Sequence, residues 1–231
     1  MIELVFPRRC PICDRIVYPK GRLICGECSG KIRYIQEPRC KKCGKGLKKE
    51  EEEYCFDCGH KKHEYDQGIA LYEYRSVQDS IFRFKYQGRC EYADFYARDM
   101  AEKLGQEVRQ WNADAFIPVP IHYTRKNKRG YNQAEIIADA LAGYISLPVY
   151  KDIVKRCKKT IPQKELDIQA RQNNLKKAFK IARDDVKLES IILVDDIYTT
   201  GSTIDGIAGE LKKAGIDKIY YIALSIGKGL S

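Results

Sequence analysis

The sequence predicts an α/β protein: a parallel β-sheet flanked by helices, with a cysteine-rich module at its N-terminal end. Three observations predict it. The first is an unbroken order of strand, acidic pair, small-residue turn and helix between Ile191 and Leu211. The second is an alternation of strand-like and helix-like apolar patterns from about Asp66 onward. The third is the clustering of eight of the ten cysteines between residues 10 and 58, as four Cys-x-x-Cys pairs.

The first observation carries most of the chemistry. Ile191-Ile192-Leu193-Val194 reads as a fully buried strand. Asp195 and Asp196 follow, then Ile197-Tyr198-Thr199-Thr200-Gly201-Ser202-Thr203, after which Ile204, Ile207, Ala208 and Leu211 recur at helical spacing. In parallel sheets, ligands gather at the carboxyl ends of strands. A helix N-terminus with free N–H groups and nearby hydroxyls binds anions, and Gly201 lets the backbone come close. The turn is therefore expected to hold a phosphate. The two carboxylates are expected to hold hydroxyls, or a divalent metal, beside it. A ribose 5-phosphate has that shape. The bland alternative is a capped helix behind a buried strand, with two merely exposed acids. G-x-x-x-x-G-K-[ST] is absent, which disfavours a Walker-type NTPase.

Composition sets the frame. The 231 residues suffice for one medium domain and a small one. With 44% hydrophobic and 32% charged residues, a soluble globular protein is expected. No apolar run approaches a membrane span. The opening residues Met1 to Arg9 lack a basic flank before a long apolar core, so no signal peptide is read and a cytoplasmic location is expected. The formal net charge of +10 invites a nucleic-acid reading. Eight thiolates holding two zinc ions would bring it to about +6. Such an excess also suits an enzyme of polyphosphate substrates, because net charge governs attraction and encounter rate rather than function.

The cysteines form two units of equal geometry. Cys10, Cys13, Cys25 and Cys28 are repeated, at an offset of thirty, by Cys40, Cys43, Cys55 and Cys58. Each Cys-x-x-Cys aims two sulfurs at one metal, and two such knuckles complete the tetrahedron that zinc prefers. Disulfides fit poorly, since nothing else suggests secretion. Sequential pairing within each repeat is expected, although exchanging the second and third knuckles is the other arrangement. Four sulfurs leave no open position, so both zinc ions are read as structural. Residues 1–63 are read as this double zinc ribbon. His60 and His63 are read as linker histidines, Lys48 to Glu53 as a solvated loop tip, and Cys90 and Cys157 as free buried thiols.

From residue 66 to 231 the larger domain is expected. Gly68 to Tyr74 reads as a strand and Val77 to Tyr86 as a helix. Phe95, Tyr96, Met100, Leu104, Val108 and Trp111 make one face of a long helix, and Ala115 to Pro120 a short strand. Ile121 to Gln133 reads as a basic loop, before a helix marked by Ala134, Ile137, Ala138, Leu141 and Ile145. The basic loop falls at a strand carboxyl end, on the side expected for the acidic pair. Arg125 and Arg129 are the preferred phosphate contacts, since a guanidinium fork fits phosphate. A solvated loop or a nucleic-acid patch is the alternative. Ile153 to Arg156 and Lys218 to Ser225 read as strands, and Lys158 to Gln163 as a polar, mobile stretch.

The stretch from Ile191 to Thr203 resembles the phosphoribosyl diphosphate (PRPP) motif of type I phosphoribosyltransferases. The combination with the ribbons, Pro118-Val119-Pro120, Gly130-Tyr131-Asn132-Gln133, and Thr160, Pro162 and Gln163 followed by Arg171 and Asn173 is similar to the ComF family over nearly the whole chain. The resemblance implies a type I phosphoribosyltransferase fold and a link to DNA uptake in natural competence. It implies a PRPP·Mg²⁺ site in which Thr199, Thr200, Gly201, Ser202 and Thr203 hold the 5-phosphate and Asp195 and Asp196 the ribose hydroxyls. Arg125, Lys126 and Arg129 would face the diphosphate, and Thr160, Gln163 and Arg171 would belong to a lid. Three functions are carried forward. They are phosphoribosyl transfer to an unknown acceptor, PRPP or nucleotide sensing without turnover, and single-stranded DNA binding as an adaptor among competence proteins.

Overall fold

The computed structural model describes residues 7–157, 178–183 and 187–227. The sheet grows from four parallel strands in the order β1 (Gln67–Glu73), β6 (Lys218–Ile226), β5 (Ser190–Tyr198), β2 (Ala115–Pro118). Strands β5 and β6 are central and bury both faces. Ile192 and Val194 join one core with Ile222 and Leu224, while Ile191 and Leu193 join the other with Tyr221 and Ala223. This explains the unbroken apolar run of Ile191 to Val194, as parallel sheets are covered on both sides.

Helices α3 (Tyr74–Tyr86), α4 (Tyr92–Gln110) and α6 (Gln133–Ile145) cover the first face, and α7 (Ser202–Lys213) packs on the second. Two short strands, β3 (Val154–Arg156) and β4 (Phe179–Ile181), form a separate antiparallel pair. The expected parallel sheet with flanking helices is thus present. The stretch read as a basic loop differs. Tyr123–Arg129 is a helix, α5. His122 caps it, its Nδ1 accepting from Thr124 N at 3.3 Å, and Gly130 ends it with φ +83°. None of its residues is buried, so it carries no apolar period to betray it.

The tandem repeat of the cysteine module is visible in the backbone. Cys10 N donates to Arg15 O and Cys40 N to Lys45 O, each at 2.8 Å. The bridges Arg9–Ile16 and Arg39–Gly46, and the short helices α1 (Gly26–Ser29) and α2 (Phe56–His60), repeat likewise. The ribbons dock on the α/β unit. The first is held by Arg83, which donates to Ile12 O at 2.6 Å, and by Tyr92, which donates to Asp14 at 2.6 Å. The second lies across β1. Gly68 N donates to Lys42 O at 2.9 Å, and a Cβ on Gly44 (φ +67°) would stand 2.8 Å from the Gly68 carbonyl. Between the ribbons, Ile35 N donates to Leu71 O at 3.0 Å and Glu73 N to Arg33 O at 2.9 Å, which covers the free edge of β1.

Candidate functional site

Strand β5 runs on through both acids to Tyr198, one residue short of the turn, because β6 accompanies it as far as Ile226. Asp195 and Asp196 therefore stand within the last residues of a central strand rather than beyond it. Beside them opens a cleft of about 510 Å³ at the carboxyl ends of β5 and β2. Its wall carries both acids with five cations: Lys85, Arg125, Lys128, Arg129 and Arg156.

The five cations arrive from three elements. Lys85, near the end of α3, places Nζ 2.8 Å from Asp196 Oδ1. Arg125, Lys128 and Arg129 come from α5, and Arg156 from β3. Arg129 is held on two sides, by Gln133 Oε1 at 2.9 Å and the Tyr86 hydroxyl at 3.0 Å, with its guanidinium 4.6 Å from the Tyr86 ring. Lys126 points elsewhere and pairs with Glu135 at 3.1 Å. Burial and the neighbouring Arg125 both press the Arg156 pKa below the usual arginine range, and Asp195 opposes them.

The Gly130-Tyr131-Asn132-Gln133 stretch acts as a set of clamps for this arrangement. Tyr131 donates to Phe84 O, tying α6 to the end of α3. Asn132 donates to Val119 O at 3.0 Å while its Oδ1 caps α6 by accepting from Ala134 N at 3.1 Å. Gln133 holds Arg129. These residues fix where α5 hangs over the strand ends.

Burial pushes the Asp195 carboxyl up to about 7, and the adjacent Asp196 adds to the rise. Lys85, the Asp196 N–H bonded to Asp195 Oδ1 at 2.8 Å, and Arg156 work against it. A desolvated pair of carboxylates resists double ionisation, and a bound cation or hydroxyl donors relieve that cost.

The turn after β5 has the form of an anion cradle. Gly201 takes φ +73° and stands at the N-cap of α7. A Cβ there would lie 2.5 Å from the Tyr198 hydroxyl oxygen, so glycine is required for space as well as for backbone conformation. Thr200 and Ser202 hydroxyls meet at 2.9 Å, and Thr199 and Thr203 line the cleft. The first N–H groups of α7 have no intrahelical partner. The segment leaving the second ribbon braces the turn, since Lys61 Nζ donates to Thr200 O at 3.2 Å and to Asp205 at 2.7 Å. His63 is no linker residue: it is buried and bonded to Asp205.

The sulfurs of Cys10, Cys13, Cys25 and Cys28 all lie within 4.8 Å of one another, as do those of Cys40, Cys43, Cys55 and Cys58. Sequential pairing is thus the observed grouping. Cys13 and Cys25 Sγ are 3.8 Å apart and Cys43 and Cys55 Sγ 3.7 Å, close to the edge of about 3.8 Å that a tetrahedron of Zn–S bonds requires. Both sets fit structural zinc. Cys90 is only half-buried and Cys157 exposed, so neither is the fully buried thiol expected. Thr160, Gln163 and Arg171 lie outside the described residues. Lys85, Lys128 and Arg156 were not singled out from sequence. Only Lys85 had a local signal, a cation between Phe84 and Tyr86 at a helix end.

Residues 1–59 match the double zinc ribbon domain family. The chain is 31% identical to Competence protein F of Haemophilus influenzae over 93% of its own length and 95% of that protein's. It belongs to the ComF family. Competence protein ComFC of Streptococcus pneumoniae is 27% identical, with 87% of this chain and 86% of that protein covered. Among solved structures, a hypoxanthine phosphoribosyltransferase from Staphylococcus aureus aligns at 14% identity with a TM-score of 0.33, over 59% of this chain and 74% of that one. Among the described residues, no helix of this ComF-family chain is long and apolar enough to cross a membrane.

Proposed function

We propose that this chain is a cytoplasmic phosphoribosyltransferase that binds PRPP with Mg²⁺ and transfers its phosphoribosyl group to an acceptor, in a pathway of DNA uptake or use. The single observation that carries the proposal is the juxtaposition of the Asp195–Asp196 pair with a five-cation cleft on one side and the Gly201 turn on the other. A double-ribbon domain over residues 1–63 and a phosphoribosyltransferase-like domain over 66–231 are proposed with it. The names of the relatives support the competence setting, and a cytoplasmic location is proposed with it, since cysteines grouped in fours for zinc suit a reducing compartment.

In this scheme the α7 N-terminus and the hydroxyls of Thr199, Thr200, Ser202 and Thr203 hold the 5-phosphate. Asp195 and Asp196 accept hydrogen bonds from the ribose 2- and 3-hydroxyls. Arg125 and Arg129, joined by Lys128 and Arg156, stabilise the charge that grows on the diphosphate as it departs. Lys126, paired with Glu135, is not among the residues that line the cleft. The bond from ribose C1 to the diphosphate oxygen breaks with its electron pair leaving on the diphosphate. The acceptor's lone pair forms the new bond to C1, and its proton passes to water. Mg²⁺, a hard cation suited to carboxylate oxygens, supplies charge neutralisation of the diphosphate when bound. Thr160, Gln163 and Arg171 are proposed as a lid that keeps water from the reacting carbon.

Calorimetric titration of PRPP with Mg²⁺ into the zinc-loaded protein tests the proposal, beside Asp195→Asn/Asp196→Asn. Binding of roughly micromolar affinity in the wild type, lost in the double variant, is expected. No saturable binding in the wild type would refute it and move attention to the DNA-adaptor reading. Binding without diphosphate release in the presence of any acceptor would favour a sensor.

A further inference from the structure

The turn at Gly201 is tied to the second Cys₄ set by two separate routes. The first leaves Cys58 through α2 and the segment after it. Asp205, in the first turn of α7, accepts from Lys61 Nζ at 2.7 Å, from His63 Nδ1 at 2.9 Å and from Glu64 N at 3.0 Å. Lys61 also donates to Thr200 O at 3.2 Å. The second route leaves Cys43, whose carbonyl accepts from the Tyr221 hydroxyl at 2.7 Å. The Tyr221 ring stacks on that of Tyr198 at 4.6 Å, and the Tyr198 hydroxyl meets that of Tyr65 at 2.7 Å. Both routes end on Gly201. A Cβ there would lie 2.5 Å from the Tyr198 hydroxyl oxygen and 3.0 Å from His63 Cε1.

The first ribbon is held elsewhere. Its Ile12 O meets Arg83 of α3 and its Asp14 meets Tyr92 of α4, each at 2.6 Å. The ties of the second ribbon are also the more enclosed. The His63 side chain is 1% exposed and that of Asp205 15%. Tyr65 and Tyr221 are fully buried. His63 Nε2 is sealed from solvent without a partner, so among the described residues Asp205 is what the ring bonds to. Facing a carboxylate, Nδ1 is the nitrogen that carries the proton. An enclosed carboxylate that loses its donors keeps an uncompensated charge, which is strongly unfavourable.

We propose that His63 and Lys61 are positioning residues for the phosphate turn, and that through them the second Cys₄ site and the 5-phosphate bind with positive linkage. This rests on the phosphoribosyl-transfer reading. A small ribbon folds only around its metal. Loss of that metal withdraws Lys61, His63 and Glu64 from Asp205, and the N-terminal turn of α7 loses its brace. Linkage is reciprocal, so a phosphate held by the turn in return retains the metal. The first Cys₄ site, docked on α3 and α4, stands outside the linkage.

The test uses the full, zinc-loaded chain. Alkylation by N-ethylmaleimide in the presence of a zinc chelator, mapped by mass spectrometry, reports the opening of each site separately. Saturating PRPP·Mg²⁺ should slow alkylation of Cys40, Cys43, Cys55 and Cys58 by roughly fivefold or more, and leave Cys10, Cys13, Cys25 and Cys28 within about twofold. In His63→Ala the slowing at the second site should shrink to within about twofold. His63→Asn, whose amide stands in for Nδ1–H, should restore it. Lys61→Met, at a partly exposed position, repeats the loss where the alanine variant folds poorly. Equal slowing at both sites, or slowing undiminished in His63→Ala and Lys61→Met, overturns the proposal. A wild type that binds no PRPP sinks the transferase reading, and the brace is then decided in the ligand-free chain. There, hydrogen exchange at the amides of Asp205 to Ile207, the first of which donates to Gly201 O, should quicken by roughly fivefold in His63→Ala. It should not do so in Arg83→Met, which frees the first ribbon instead. Unchanged exchange in His63→Ala overturns the brace whatever PRPP does.

Discussion

His63 places Nδ1 2.9 Å from Oδ2 of Asp205, joining the segment that leaves the second ribbon to the first turn of α7. Lys61 meets the same carboxylate at 2.7 Å, and Glu64 N donates to its other oxygen at 3.0 Å. The helix that begins at the proposed phosphate turn is thus anchored to the metal-binding module.

Removing this anchor should loosen the turn. Burial alone would raise the Asp205 pKa, but His63 and Lys61 outweigh it and hold the carboxyl below its ordinary range. A depressed carboxyl adds stability above its unfolded pKa and loses it as pH falls through the folded one. His63→Ala is therefore expected to cost about 1–3 kcal/mol at pH 7, and less in acid below the usual carboxylate range. Urea unfolding at pH 7 and pH 3 checks this. A loss that does not shrink in acid would show that His63 acts through packing alone.

Asp195 works in the opposite sense. Its raised pKa means the folded protein retains a proton that the unfolded chain has released, so stability falls as pH rises from about 4 to about 7. Asp195→Asn removes the charge yet keeps an oxygen for Asp196 N–H. It should stabilise the ligand-free protein by about 1–3 kcal/mol at pH 8 and by almost nothing at pH 4. Thermal melts at the two pH values decide it. An asparagine variant less stable than wild type at pH 8 would contradict the assignment.

Lys85 offsets part of that rise, through its position beside the pair. In Lys85→Met, Asp195 should ionise at higher pH. The pH below which PRPP·Mg²⁺ binding fades should then move upward, as followed by calorimetry from pH 6 to 9. An unchanged profile would mean that Lys85 contacts the acids without governing them.

Gly201→Ala should damage the phosphate turn. The left-handed conformation costs an alanine about 1–2 kcal/mol, and its Cβ would meet the Tyr198 hydroxyl oxygen at 2.5 Å. Lower thermal stability and a loss of PRPP affinity are expected together. Wild-type affinity in this variant would remove the turn from the proposed site.

The two metal sites should differ in consequence. Cys40, Cys43 and Cys55 belong to the same core as Leu193 and Tyr221, and Tyr221 donates to Cys43 O at 2.7 Å. Cys10 and Cys28 form a small cluster of their own with Val17. Cys40→Ser is expected to lower Tm by about 6–12 °C, the shift of roughly 3 kcal/mol in a chain of this size, and Cys10→Ser by less. Zinc content and melts of both variants test the order.

The sequence by itself determined whatever depends on neighbours along the chain. The repeated Cys-x-x-Cys spacing, the buried run from Ile191 to Val194, the acids after it and the glycine that turns into α7 are all local, so periodicity and residue type expose them. Even the sequential grouping of the cysteines followed from a repeat that is self-contained. Only the tertiary structure decided which cations face those acids. Lys85, Lys128 and Arg156 come from α3, α5 and β3, far apart in the chain, and their convergence is set by how these elements pack around β5. The same is true of His63. His63 looked like a linker residue because its partner lies 142 positions away.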